Sequence, residues 1–526
     1  MNRRLVLALA LVAVAACTPS APAPVSPAAR PRLLVWITVD QLRSDMLDHY
    51  SSMFTGGFRR LLNEGRFYIN ATHDHSRTST APGHASLSTG THPSRHGIIG
   101  NGWYEIQGKE WVQVSNVGDS TVKTIASDLP GVSPRPLMRT GLADWMVAAD
   151  SASQVASVSG KDRGAILPAA HVKGHVYWFE PGGGGFVTST YYRDSYPAWV
   201  ERFNREALLK YMADTVWEFT APASSIFLSS PDTAAHELDG THTFFPHRFT
   251  VLTQGRDTAA MLAWMERTPL ADAATLEFAE AMVRELSLGA DETVDLLAIS
   301  LSQTDAVGHQ FGPFSREQLD NLYRLDRRLG AFFTFLDNTV GRDRWMVALS
   351  ADHGVMTPPE DPRAPPGSRR LTSAEREQAQ KIITDAVAAG GGGDAVAQRI
   401  ATEFERLPAV ADAWTERELL RGTPSDSFAL LARRSVYPGR AGGIASRQGV
   451  EVHLAPFILV NQRTGTTHGS PYWYDRHVPM LFMGTGIPAG RDPQRVAAVD
   501  FAPTLARLLG APYPRDLDGR ALSLGR

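Results

Sequence analysis

Apolar residues fall in short unbroken runs along this chain, and four of those runs end on residues able to do chemistry. Arg32-Leu-Leu-Val-Trp-Ile-Thr-Val-Asp40 closes on an acid, and Gln154-Val-Ala-Ser-Val-Ser-Gly-Lys-Asp-Arg163 on two cations. Val294-Asp-Leu-Leu-Ala-Ile-Ser-Leu-Ser-Gln-Thr-Asp305 is followed by His309, and Arg344-Trp-Met-Val-Ala-Leu-Ser-Ala-Asp-His-Gly354 carries Asp352 and His353. Such runs read as strands buried on both faces, whose carboxyl ends are where open α/β sheets hold ligands. Elsewhere the spacing turns helical. Phe58 to Gly65 predicts a helix, and Ser315 to Leu336 an amphipathic one capped by Ser315. Val478 to Gly484 predicts another strand and Val499 to Gly510 a last helix ended by glycine. Strands alternating with helices predict an α/β fold, a doubly wound, mainly parallel sheet flanked by helices.

The pattern loosens twice. From about 165 to 290 it is irregular and aromatic, with a Gly182–Gly185 tract, and from about 357 to 450 it opens with a Pro-rich loop. Both stretches read as insertions that cap a single catalytic domain spanning 32–526, and no internal repeat is visible. Residues 1–17 have a basic start, an apolar run and small residues before Cys17, which reads as an export signal too short for a membrane span. Val14-Ala-Ala-Cys17 resembles a lipobox, the rival being ordinary cleavage near Ala13-Val-Ala15. Residues 18–31 are rich in Pro, Ala and Ser and read as a tether. The expectation is an exported, periplasmic protein, with membrane attachment if Cys17 is lipidated. Cys17 is the single cysteine, so disulfides, thiolate zinc sites and a cysteine nucleophile are excluded. A net charge of −3 gives no case for a nucleic-acid partner.

Between the first two runs lies a hydroxyl-rich loop, Arg77-Thr-Ser-Thr-Ala-Pro-Gly-His84, that runs into a short helix. Pro82 suits a first helical turn and Gly90 its end. Thr80 then sits at a helix N-terminus, where unpaired N–H groups favour a phosphate. Singly, a loop Asp or His is usually a cap or a solvated side chain. Together, Asp40, Asp305, His309, Asp352, His353 and His468 make a carboxylate–imidazole set that suits Zn²⁺. The set exceeds the needs of one catalytic zinc, which implies two metals of the kind that clamp an in-line displacement. Thr80 fits as a nucleophile activated by a metal. Lys161 and Arg163 fit as donors to phosphoryl oxygens, and Asn101 adds a neutral one.

Asp40, Thr80 in Thr-Ala-Pro-Gly-His, Asp305-x-x-x-His309, Asp352-His353-Gly and His468-Gly resemble the two-zinc core of the alkaline phosphatase superfamily, in its nucleotide pyrophosphatase/phosphodiesterase-like branch. Asn101 with Lys161-Asp-Arg163 is similar to the PafA-type, phosphate-irrepressible alkaline phosphatases, which use a threonine nucleophile. The resemblance runs from about residue 31 to the end, including Asp500-Phe-Ala-Pro-Thr-Leu-Ala. It implies a hydrolase of small phosphate monoesters working through a phosphothreonine, with two Zn²⁺ per chain. Asp305, His309 and His468 would hold one zinc, and Asp40, Asp352 and His353 the other, with Thr80 reaching toward it. Asn101, Lys161 and Arg163 would contact the phosphoryl group. A phosphodiesterase of the same superfamily is the alternative. A sulfatase is disfavoured, because Thr80-Ala-Pro-Gly-His replaces the formylglycine motif. A metal-free phosphate-binding lipoprotein is the non-enzymatic reading. His477 is a neighbouring alternative to His468.

Overall fold

The computed structural model describes residues 30–249, 257–460 and 463–524; Cys17, the export signal and nearly all of the tether lie outside them. A nine-stranded sheet organises the chain. Its strands are β1 (Leu33–Val39), β2 (Arg66–Thr72), β3 (Val155–Ser159), β4 (His175–Glu180), β5 (Gly185–Val187), β6 (Asp295–Leu301), β7 (Trp345–Ser350), β8 (His477–Gly484) and β9 (Gly490–Ala497). Across the sheet they run β9-β2-β8-β7-β1-β6-β3-β4-β5. The middle, β7-β1-β6-β3-β4, is parallel throughout. β8 runs antiparallel to both β7 and β2, and β5 antiparallel to β4.

Every residue of β1, β6 and β7 is buried, and the pleat explains why the runs are unbroken. Side chains alternate between faces, and each face meets its own apolar layer. Leu33, Val35 and Ile37 join the core containing Leu329, Phe332 and Phe333 of the helix Arg316–Leu336. Leu34 and Trp36 join the opposite core with Phe501 and Leu505 of the helix Phe501–Leu509, where the Trp36 and Phe501 rings lie 5.3 Å apart. Each such buried side chain contributes about 1.5–3 kcal/mol, so this central strand tolerates polar substitution on neither face.

The helix Arg316–Leu336 begins where Ser315 Oγ accepts the Gln318 N–H at 3.0 Å. Its buried Asp326 then caps a second helix, accepting the N–H groups of Thr55, Gly56, Phe58 and Arg59 at the start of Gly57–Glu64. The outer elements differ from the expected boundaries in one respect. β4 and β5 fall inside the stretch 165–290 and belong to the central sheet. The run His175-Val-Tyr-Trp-Phe-Glu180 is aromatic rather than β-branched, and Gly182–Gly184 reverse it at once, which hid the strand pair. Within 357–450, the helices Ser373–Ala388 and Gly393–Phe404 pack with Val410–Thr415 and Val450–Leu454 around a small core that includes Ile383, Ile400, Phe404 and Val450. Among the described residues, no helix is long and apolar enough to cross a membrane.

Candidate active site

Parallel strands that stop at one edge of the sheet deliver their next residues to one place. Asp40 follows β1, Asp352 and His353 follow β7, and Lys161 follows β3 as the N-cap of the helix Asp162–Ala169. After β6 the helix Gln303–Phe311 carries Asp305 and His309 one turn apart, on one face. His468 arrives on the segment that leads into β8, whose amino end lies at this edge because β8 runs against its neighbours.

Asp305, His309 and His468 can bring ligand atoms within 4.8 Å of one another, and so can Asp40, Asp305 and His353. Asp305 therefore faces both groups. Asp352 adjoins the second, its Oδ2 lying 3.5 Å from His353 Nε2. The imidazoles are oriented from behind. His309 Nδ1 is 2.8 Å from the Thr466 carbonyl, His353 Nδ1 2.9 Å from that of Gly354, and His468 Nδ1 2.7 Å from that of Thr78. A carbonyl only accepts, so each Nδ1 carries a proton and each Nε2 faces the cluster, where a neutral ring offers a lone pair to a cation and a protonated His309 pairs with Asp305 Oδ1 at 3.1 Å. Asp40 Oδ1, Asp352 Oδ2 and His353 Nε2 are buried with no hydrogen-bond partner. Inward-facing acceptors left in that state are costly unless a cation joins them. Oxygen and imidazole donors so arranged fit a divalent metal.

The charges tell the same story. Burial, with Asp305 and Asp352 nearby, pushes the Asp40 carboxyl well above its usual range. Burial pushes Asp305 up too, but His309 and Lys161 outweigh it and hold Asp305 well below. Lys161, the cation expected at the phosphoryl oxygens, lies among the carboxylates, bridging Asp40 Oδ2 at 2.6 Å and Asp305 Oδ2 at 2.5 Å. Crowded, dry carboxylates demand positive charge, and the long ammonium side chain supplies it. Arg163 sits one residue into its helix, 3.5 Å from Asp162, with its Nε buried and unpartnered.

Thr80 opens the helix Thr80–Thr89 and is buried. Ser79 is the N-cap residue but makes no side-chain cap bond; the Ala81 N–H is taken by Asn101 Oδ1 at 2.9 Å. That bond fixes Asn101 beside the helix N-terminus, on the wall of a cavity of about 580 Å³ shared with Ser79 and His468. His477 stays outside the cluster, its Nε2 2.7 Å from the Ile69 carbonyl and its ring stacked on Trp473.

Two residues escaped the reading of the sequence. His84, fully buried, joins the Thr80 carbonyl through Nδ1 and Ser300 Oγ through Nε2, both at 2.9 Å. Gln41 touches the carboxylates of Asp352 and Asp305. His84 closes the quoted Thr-Ala-Pro-Gly-His motif and Gln41 directly follows the run that ends on Asp40, and only that closeness to Thr80 and Asp40 could have flagged them.

The model of the type I phosphodiesterase / nucleotide pyrophosphatase family matches residues 34–476. Alkaline phosphatase PafA of Elizabethkingia meningoseptica is 33% identical, over 94% of this chain and 94% of its own. Alkaline phosphatase PhoK of a Sphingomonas species is 34% identical, over 94% of this chain and 91% of its own. The crystal structure of wild-type alkaline phosphatase PafA superposes with a TM-score of 0.85 at 31% identity, covering 94% of this chain and 99% of that one. Sheet order, carboxylate–imidazole cluster and sequence relatives converge: the chain belongs to the type I phosphodiesterase / nucleotide pyrophosphatase family of the alkaline phosphatase superfamily.

Proposed function

We propose that this chain is an alkaline phosphatase, a metal-dependent hydrolase of phosphate monoesters that works through a phosphothreonine at Thr80. The observation that carries the reading is the buried set of carboxylates and Nε2-facing imidazoles at the edge where the helix Thr80–Thr89 begins. Relatives similar over 94% of the chain are named alkaline phosphatases, which supports it. Asp305, His309 and His468 would hold one metal, and Asp40, Asp352 and His353 a second, zinc being the ion such donors suit. Bound there, metal supplies Lewis acidity, lowering the pKa of a hydroxyl and neutralising charge on oxygen.

The chain's own groups do the rest. Thr80 Oγ1 bonds to phosphorus in line as the bond to the alcohol oxygen breaks, and the alcohol leaves with a proton. Water then bonds to phosphorus, the Thr80 ester breaks and inorganic phosphate departs. The Asn101 amide NH₂, Arg163 and the helix N-terminus bear on the non-bridging oxygens. Lys161 joins them in the loaded site, because an ammonium and a divalent ion compete for the same oxygens of Asp40 and Asp305. Small phosphorylated metabolites are the substrate class, and the first 17 residues support export to the periplasm with Cys17 as a lipid anchor.

The second reading, a phosphodiesterase, has the family's own description in its favour. A diester offers one fewer non-bridging charge, so two cations favour the monoester. Metal analysis with kcat/KM for p-nitrophenyl phosphate and its bis-ester separates the two. Preference for the bis-ester, or full turnover in a metal-replete Thr80→Ala protein, would sink the proposal.

A further inference from the structure

Gln41 stands directly after Asp40 with φ at +67°, a left-handed conformation that non-glycine residues adopt at a cost. It is fully buried. Its two donors go to two different carboxylates. The backbone N–H donates to Asp352 Oδ1 at 3.1 Å, and the side-chain Nε2–H to Asp305 Oδ1 at 2.6 Å. The left-handed turn sends the amide hydrogen to one carboxylate while the side chain reaches the other. The Gln41 N–H and the His353 N–H both occupy Asp352 Oδ1, which leaves Oδ2 to face the imidazoles of His84 at 3.4 Å and His353 at 3.5 Å. At the far end, Gln41 Oε1 packs where a Cβ on Gly308 would lie, inside the Asp305-Ala-Val-Gly-His309 turn.

We propose that Gln41 is a positioning residue that sets Asp305 and Asp352 against each other and so holds the two ligand groups in one register, with Gly308 making room for its amide. The proposal rests on reading those residues as metal ligands. Gln41 acts through the carboxylates it orients, and losing such a partner of a metal ligand typically costs about 10- to 100-fold in metal affinity or activity.

Three variants test it. Gln41→Gly keeps the backbone N–H and relieves the φ, so it folds while losing only the amide side chain. Gln41→Met fills the space without donating. Gly308→Ala drives a methyl into the amide and leaves Gln41 in place. Zn²⁺ affinity is measured by competition with a chromogenic chelator, without substrate, together with Tm of the metal-free protein and kcat and KM for p-nitrophenyl phosphate. Zn²⁺ affinity should fall about 10- to 100-fold in all three, with kcat reduced and KM within about threefold, while the metal-free Gln41→Gly protein melts where wild type does. Wild-type Zn²⁺ affinity in Gln41→Gly and Gln41→Met overturns the proposal, as does an affinity loss matched by collapse of metal-free Tm in every variant. Because Zn²⁺ binding is read without substrate, this proposal and the monoesterase reading can fail separately.

Discussion

Gly83 and Asp352 meet backbone to backbone: a Cβ on Gly83 would overlap the Asp352 carbonyl group. The third residue after Thr80 therefore rests directly on the loop that carries Asp352 and His353, so the position of the helix is tied to that of the loop.

Gly83→Ala should separate them. Backbone cannot yield as a flexible side chain does, so the substitution should cost about 1–3 kcal/mol and lower kcat for p-nitrophenyl phosphate more than tenfold. Urea unfolding and steady-state kinetics read the two effects. Wild-type values in both would mean the contact is looser than described.

Lys161→Ala removes the ammonium between Asp40 and Asp305. If Lys161 serves the phosphoryl group, kcat/KM should fall for the monoester by about 10²-fold, on the scale of losing one charge-stabilising donor. The bis-ester should suffer less, so the monoester-to-diester ratio narrows. An unchanged ratio would confine Lys161 to balancing the carboxylates.

Acid should unfold the protein through histidines that take no part in the chemistry. His73, His75 and His96 are fully buried. Burial lowers His73 to about 4 and holds His75 and His96 well below the usual histidine value, with neighbouring histidines adding to it. Below about pH 6.5 the unfolded chain takes up protons that the folded chain refuses. The unfolded state then binds more protons, and stability falls as pH drops from about 6.5 toward 4. Each histidine adds up to about 1.4 kcal/mol per pH unit to the slope. Neither ring nitrogen of His75 has a partner, so His75→Leu leaves no group stranded. Urea titrations between pH 4.5 and 7.5 should show a slope shallower by one proton; an unchanged slope would point to other groups.

Stripping the metals should destabilise as well as inactivate. The inward-facing oxygens of Asp40 and Asp352 lose the cation that joins them, and saturating ligand is worth about 4 kcal/mol at a thousandfold excess over Kd. For a chain of this length that is a fall in Tm of roughly 4 °C. Chelator-treated protein, before and after Zn²⁺ is restored, gives the comparison in one calorimetric series.

How legible the molecule was in its sequence depended on how many faces a segment buries. β1, β6 and β7 are covered on both sides, so their apolar runs could be read as strands and the polar residues after them as a cluster. β4 is just as much part of the sheet but carries its apolar surface as aromatic rings, which suit a loop cap equally well. The partners of charged side chains were less accessible still. Nothing in the spacing of Lys161 says that its ammonium lies on Asp40 and Asp305, because that choice follows from how many carboxylates crowd one dry space. Gln41 was invisible for a different reason: its part depends on a backbone turn, and a glutamine announces no such conformation.

β8 runs against its neighbours, and this has a consequence for when the centre can come into being. A strand entering the sheet from the active edge lets His468 arrive from upstream of its strand, more than four hundred residues after Asp40. A growing chain holds a partial ligand set until its last quarter is made. On the proposed assignment, the group of Asp40, Asp352 and His353 is in hand well before the end of synthesis, while the one that needs His468 closes only with the last stretch of chain.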